Sequence, residues 1–208
     1  MAAEKGNVEA QVLLGEMFKI GEGGKRDLDE FMRWTGRAGL QDHPDALNAL
    51  GVAFHNGEGV PKDFSQAMKN YRKAADLGSD WAMRNIGFLL EQGQGVGADA
   101  EEAAKWYRRA AAAGNSDACR SLALMYATGK GVPKNLVEAY LLYSLAAELA
   151  PEGRERGAIT ASRTKLAKKM TQEEISQAED TLRVPAFFET KRTSLDEGRA
   201  ETTLSHSH

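Results

Sequence analysis

GEGVPKDFSQA, residues 57–67, sets two glycines around an acid, follows them with a lysine, and then opens like a helix. Two readings compete. In one, glycine amides and Lys62 cradle a phosphate; in the other, the stretch is a turn between two helices. Recurrence decides between them. The stretch returns as GEGGKRDLDEF at 21–31, GQGVGADAEEA at 93–103 and GKGVPKNLVEA at 129–139. A nucleotide site occurs once, whereas a structural turn recurs in every unit, and Ala98 replaces Lys62 in the third copy. What persists is an acid or amide with a partner three residues on: Asp27 and Glu30, Asp63 and Gln66, Asp99 and Glu102, Asn135 and Glu138. That spacing predicts a capping box, which satisfies the first amides of a helix without a ligand. The glycines supply the backbone freedom to reverse direction, and Val60, Val96 and Val132 are expected to pin the loop to the core.

The step of 36 extends through the whole unit. Ala10, Ala46, Ala82 and Ala118 keep it, as do Leu14, Leu50, Ile86 and Leu122. Gly15, Gly51 and Gly87 keep it with Ala123 fourth, and Ala38, Ala74, Ala110 and Ala146 close the unit. Each half of a unit carries apolar residues at helical spacing, such as Ala46, Leu47, Leu50, Ala53 and Phe54, then Ala67, Met68, Tyr71, Ala74 and Ala75. Each repeat is therefore helix A, glycine loop, helix B and a short turn. A mid-helix glycine costs roughly 1 kcal/mol against alanine, so Gly15, Gly51 and Gly87 predict a close approach of the two helices. The alanines of helix B are expected to offer the matching small surface. Phe18, Trp34, Phe54, Tyr71, Trp106, Tyr107, Tyr126 and Tyr143 fill the gaps. One hairpin cannot bury both faces, but stacked hairpins can. The fold class expected is all-α, a right-handed α-solenoid.

The divisions expected are 1–6 as the end of a preceding unit, repeats at 7–42, 43–78, 79–114 and 115–150, capping helices over 152–184, and a flexible tail over 185–208. Residues 2–6, AAEKG, align with Ala74–Gly78, which reads as the start of an excised fragment. After Pro151 the repeat stops. Ile159, Leu166 and Met170 mark one helix, and Thr171 opens TQEE and a second one with Ile175, Ala178 and Leu182 on one face. Phe187 and Phe188 are expected to fold back onto the array.

Composition narrows the function classes. The 208 residues are 42% hydrophobic and 27% charged with five prolines, ordinary for a helical folded chain. A net charge of -3 argues against nucleic-acid binding, which needs a basic stripe. No run approaches 18 apolar residues, so no membrane insertion is expected. The single cysteine, Cys119, excludes an internal disulfide and a cysteine-based zinc site.

The pattern resembles the Sel1-like repeat family, whose unit reads approximately A-x-x-x-L-G-x-x-Y/F, G-x-G-V-x-x-D, A-x-x-W/Y-x-x-K/R-A-A-x-x-G. Repeat 2 matches nearly throughout, and repeat 3 places Trp106 and Tyr107 in the aromatic positions. Repeat 1 departs most: Gly24 stands for the valine, Phe31 for an alanine and Gly39 for another. The resemblance covers about residues 2–183. It implies an adaptor, related to tetratricopeptide arrays and of bacterial type, that holds a peptide or protein domain. It implies no catalytic residues. The expectation is a non-catalytic interaction scaffold, with an inhibitor or immunity-type protein that blocks a bacterial effector enzyme as the alternative. No cofactor, no metal and no catalytic residue is expected, and the chain is expected to be a monomer or weak dimer. The compartment, periplasm or cytoplasm, stays open.

The chemical candidates reduce to structural roles. His43, His55, His206 and His208 have no partners at metal-ligand spacing, and Cys119 has no adjacent base and reads as a packed side chain. Glu101-Glu102 and Glu173-Glu174 sit where acids complement a helix dipole. Arg154, Arg156, Arg163, Lys165, Lys168 and Lys169 read as a solvated face. In solenoids of this kind helix A lines the concave side. Its core positions repeat, while those beside them vary: Val12, Asn48, Arg84, Arg120; Leu13, Ala49, Asn85, Ser121; Glu16, Val52, Phe88, Leu124; Lys19, His55, Glu91, Ala127. Regular positions serve the fold and varied ones are free for recognition. The partner-binding candidates are therefore Asn48, Val52, His55, Trp81, Arg84, Asn85, Phe88, Arg120, Ser121 and Leu124, with aromatic and arginine anchors foremost.

Overall fold

The 36-residue step of the sequence is the step of the helices. In the computed structural model, which describes residues 1–183 together with Lys191 and Thr193, helix A begins at Val8, Pro44, Asp80 and Ser116, and helix B at Leu28, Phe64, Ala100 and Leu136. The ten helices among the described residues are α1 Val8–Ile20, α2 Leu28–Gly39, α3 Pro44–Asn56, α4 Phe64–Asp76, α5 Asp80–Gln92, α6 Ala100–Ala112, α7 Ser116–Thr128, α8 Leu136–Leu149, α9 Arg154–Ala167 and α10 Gln172–Leu182. They fall into two compact units, Met1–Gly97 and Ala98–His208. Phe187, Phe188, His206 and His208 lie outside the described residues.

Every helix A stops the same way. Gly21, Gly57, Gly93 and Gly129 take left-handed φ of 67 to 78°, and their amides return to carbonyls of the last turn. The helix then cannot continue, and glycine enters that region without a Cβ penalty. Every helix B starts the same way. Asp27 and Asp63 accept from two first-turn amides each, and Asp99 and Asn135 accept from the amides of Glu102 and Glu138.

The expected capping box is only half made at these starts. The backbone amides of Asp27, Asp63 and Asn135 donate to the helix A carbonyls of Phe18, Phe54 and Tyr126, each at 2.9 Å. That bond ties the two helices of a hairpin together. The acids three residues on turn elsewhere: Glu30 accepts from Arg33 and from Trp34 Nε1, and Glu102 pairs with Lys105. The complete reciprocal box stands at Thr171, with Glu174 returning to the Thr171 amide.

The close approach at the mid-helix glycines is present, but its partner differs from expectation. A Cβ on Gly51 would lie 2.5 Å from the Tyr71 ring, and one on Gly15 would lie 2.5 Å from Thr35 Oγ1. Thr35 and Tyr71 share one register position of helix B. The glycine therefore admits a ring or a hydroxyl where a matching alanine was expected. Ala38, Ala74, Ala110 and Ala146 are fully buried beside it, and Tyr71 is 1% exposed. Trp34, Tyr107 and Tyr143 are buried too, while Phe18, Phe54, Trp106 and Tyr126 are half-buried.

The second loop glycine joins one repeat to the next. Gly59 packs against the Leu28 carbonyl, Gly95 against Phe64 and Gly131 against the Ala100 carbonyl, so a side chain at any of them would meet the start of the preceding helix B. At Gly23 no atom lies within 4 Å of such a side chain.

Beyond the repeats, α9 and α10 both pack on α8. Ile159, Leu166 and Ala178 are buried, and Ala178 meets Leu141 with Val137, Tyr140 and Leu182 around it. Met170 and Ile175 are half-buried. Two members of the basic cluster belong to this packing. Arg156 donates from Nε and Nη2 to the Ala150 carbonyl at 3.1 and 2.7 Å, and Arg163 donates to Ser144 Oγ and lies over Tyr140. Arg154, Lys165, Lys168 and Lys169 are exposed.

Candidate partner-binding site

Seven of the ten partner-binding candidates lie on α3 and α5, in the first unit. The helical period puts Trp81, Arg84, Asn85 and Phe88 on one face of α5. Asn48, Val52 and His55 lie along α3. A polar ladder links the two helices: Arg84 Nη1 donates to Asn85 Oδ1 at 3.1 Å, and Asn85 Nδ2 donates to Asn48 Oδ1 at 3.0 Å. Beside it runs a ring cluster. The Arg84 guanidinium lies 5.4 Å from the Phe88 centroid. Phe88 stacks on His55 at 5.8 Å and 24°, and His55 meets the Phe64 edge at 5.5 Å and 77°. Lys62 Nζ closes the row 5.6 Å from the Phe64 ring.

Exposure divides these residues. Trp81 leaves 52% of its surface to solvent. Phe88, His55, Arg84, Asn85, Asn48 and Val52 are half-buried. Phe88 thus spends part of its surface on packing between the second and third repeats. Arg120, Ser121 and Leu124 belong to the second unit. Arg120 is exposed and bonded to Asp117 at 2.8 Å, Ser121 is half-buried, and Leu124 is 53% exposed. In the first repeat Leu13 is exposed, and Lys19 pairs with Glu16 and lies over Phe31.

Burial holds the His55 imidazole below its ordinary value, and Lys62 and Arg84 push the same way. Tyr71 and Tyr143 are raised by burial, with Arg84 and Arg120 respectively opposing. Both phenols therefore stay neutral in the ordinary pH range. Cys119 is buried. Among the described residues, no group of three or more His, Cys, Asp and Glu side chains is placed to hold a metal ion. No described helix is long and apolar enough to cross a membrane.

Phe64 and Lys62 join this cluster from outside helix A, and the sequence reading did not select them. The signal was present, because the first residue of helix B is Leu28, Ala100 and Leu136 in the other repeats and aromatic here.

The Sel1 repeat model matches residues 8–43, 44–79, 82–115 and 116–151. The chain belongs to the Sel1 repeat family. No curated protein matches it. Among solved structures, it is similar to a Sel1 repeat protein from Oxalobacter formigenes, at 33% identity and a TM-score of 0.62 over 69% of this chain and 59% of that one. It is also similar to c5321, a protective antigen present in uropathogenic Escherichia coli strains that displays an SLR fold. That match has 25% identity and a TM-score of 0.68 over 93% of this chain and 47% of that one. The chain thus spans 59% and 47% of these two relatives. Its fold class is that of the all-α Sel1 solenoids. Sel1 repeats as a class mediate protein–protein interaction.

Proposed function

We propose that this chain is a non-catalytic interaction scaffold that holds a peptide or protein domain on its helix A face. Its repeats are 7–42, 43–78, 79–114 and 115–150, closed by helices within 152–184. It acts as a monomer or weak dimer and takes no nucleic acid. One observation carries this reading: a half-exposed tryptophan, Trp81, beside an arginine and two asparagines that bridge adjacent helices. Large aromatic and arginine side chains are the usual energetic anchors of interfaces. A preformed polar ladder loses little side-chain freedom when a partner docks. The candidate contacts are Asn48, Val52, His55, Trp81, Arg84, Asn85 and Phe88, with Arg120, Ser121 and Leu124 on the second unit.

The test begins with affinity capture from the source cells and mass spectrometry. Calorimetric titration of the captured partner against Trp81→Ala and Arg84→Ala follows. Each change is expected to weaken binding by at least about tenfold, roughly 1.4 kcal/mol, with the melting temperature nearly unchanged. Unchanged affinity alongside reduced stability would place these residues in the fold and remove the assignment.

A further inference from the structure

The ring cluster is short of acid. Arg84 and Lys62 form no ion pair with a described carboxylate, and the hydrogen bond shown for Arg84 runs to a neutral amide, Asn85. Arg84 Nε is buried without a hydrogen-bond partner. By contrast, Arg33, Arg120 and Arg183 each have a carboxylate within 4.0 Å. Arg84 and Lys62 lie instead on the Phe88 and Phe64 rings.

The charges that act on His55 are both positive, Lys62 from the loop and Arg84 from α5. From α4 it meets the Phe64 ring. The acids close in sequence to the cluster are Glu58, Asp63 and Glu91, and Asp63 Oδ1 is taken by the Ser65 and Gln66 amides. Glu58 Oε1 accepts from Asn56 at 2.9 Å. Three nitrogen groups thus face two aromatic rings, and among the described residues neither Arg84 nor Lys62 is ion-paired. A partly desolvated cation strengthens its attraction for an incoming anion.

We infer that the partner's contacting segment is acidic, and that one of its carboxylates docks on the Arg84 guanidinium within the field of His55 and Lys62. Its apolar neighbours pack on Trp81 and Phe88. This inference rests on the helix A reading above and specifies its ligand. The carboxylate comes from an Asp or Glu side chain or from a chain terminus. A docked carboxylate favours the imidazolium and raises the His55 pKa. Binding therefore takes up a proton. Affinity rises as pH falls through the raised value of bound His55, and levels off once pH is below the depressed value of unbound His55.

The experiment selects displayed peptides against the full chain, then measures fluorescence anisotropy of the enriched peptides as acids, as Gln/Asn analogues and as C-terminal amides. The expected result is enrichment of acidic peptides. The neutral analogues should bind about tenfold more weakly, and Arg84→Gln and Lys62→Gln should weaken the acidic peptides but not the neutral ones. Lys62 is exposed, so its variant separates charge from folding. The acidic peptides should bind severalfold tighter at pH 6 than at pH 8, and His55→Gln should flatten that dependence. Loss in the amide series alone assigns a terminal carboxylate, and loss in the Gln/Asn series assigns a side chain. Neutral or basic peptides that depend on Trp81 would overturn the acidic ligand and leave the scaffold reading standing. Peptides indifferent to Trp81, Arg84 and Phe88, or preferential binding of an oligonucleotide, would overturn both.

Discussion

The start of helix B and the outward face of helix A lie on the same hairpins and follow opposite rules. At the former, Asp27, Asp63, Asp99 and Asn135 make the same bond in each repeat. At the latter, the residue beside the core is Val12, Asn48, Arg84 or Arg120. The first region satisfies amides that no neighbour can supply, so its chemistry cannot drift far. The second satisfies no backbone group that the repeat must pair. A change in the first region should therefore be read in stability, and a change in the second in binding.

The largest loss should follow where both helices share space. Gly51→Val puts branched carbons into the Tyr71 ring, which is fully buried and cannot swing away. Overpacking of this kind costs about 3 kcal/mol. Urea unfolding of the variant should show that drop, and an unaltered midpoint would mean the hairpin can open without cost.

Next in size is a pair that isolates the joint between repeats. Gly59→Ala and Gly23→Ala both place alanine at positive φ, 73 and 80°. Both carry the left-handed cost, about 1 kcal/mol. Only Gly59 also meets the Leu28 carbonyl, at 2.9 Å from the added carbon. The loss should be about twofold greater at Gly59. Equal losses would show that the loop glycines serve the turn alone.

Caps give a smaller, signed contrast. Asp63→Ala removes two first-turn bonds and should cost about 1 kcal/mol. His43 occupies the helix A cap position held elsewhere by Asn7, Ser79 and Asn115, makes no cap bond, and leaves Nδ1 buried without a partner. His43→Asn should stabilise by about 0.5 kcal/mol, seen as a raised melting temperature.

These contrasts also mark where sequence reasoning stopped. The helix starts were legible because a fixed period carries its punctuation with it: the glycines, caps and small residues recur in register. The docking role of Gly59 was not, because its partner Leu28 lies 31 residues earlier in another repeat, and periodicity within a unit says nothing about contact between units. The capping boxes were over-read for a related reason. The amide of Asp63 finds Phe54, across the loop, before it needs the side chain of Gln66. On the candidate face, Trp81, Arg84 and Asn85 stood out by departing from the repeat. Phe88 stands out in the same way, and His55, 33 residues back, takes one of its sides.

The smallest expected effect on stability is the most telling. Trp81→Ala removes an exposed ring and should change unfolding free energy by less than about 0.5 kcal/mol. Phe88→Ala, by contrast, uncovers the His55 ring on which it stacks and should cost more than that. If both variants lose partner affinity while only the second loses stability, the face divides into an exposed anchor and a shared wall, and the rule opposing helix A to helix B holds at Trp81 alone. If Trp81→Ala unfolds the chain as readily as Phe88→Ala does, the ring belongs to the repeat core, and the separation of folding from recognition along helix A fails at its clearest position.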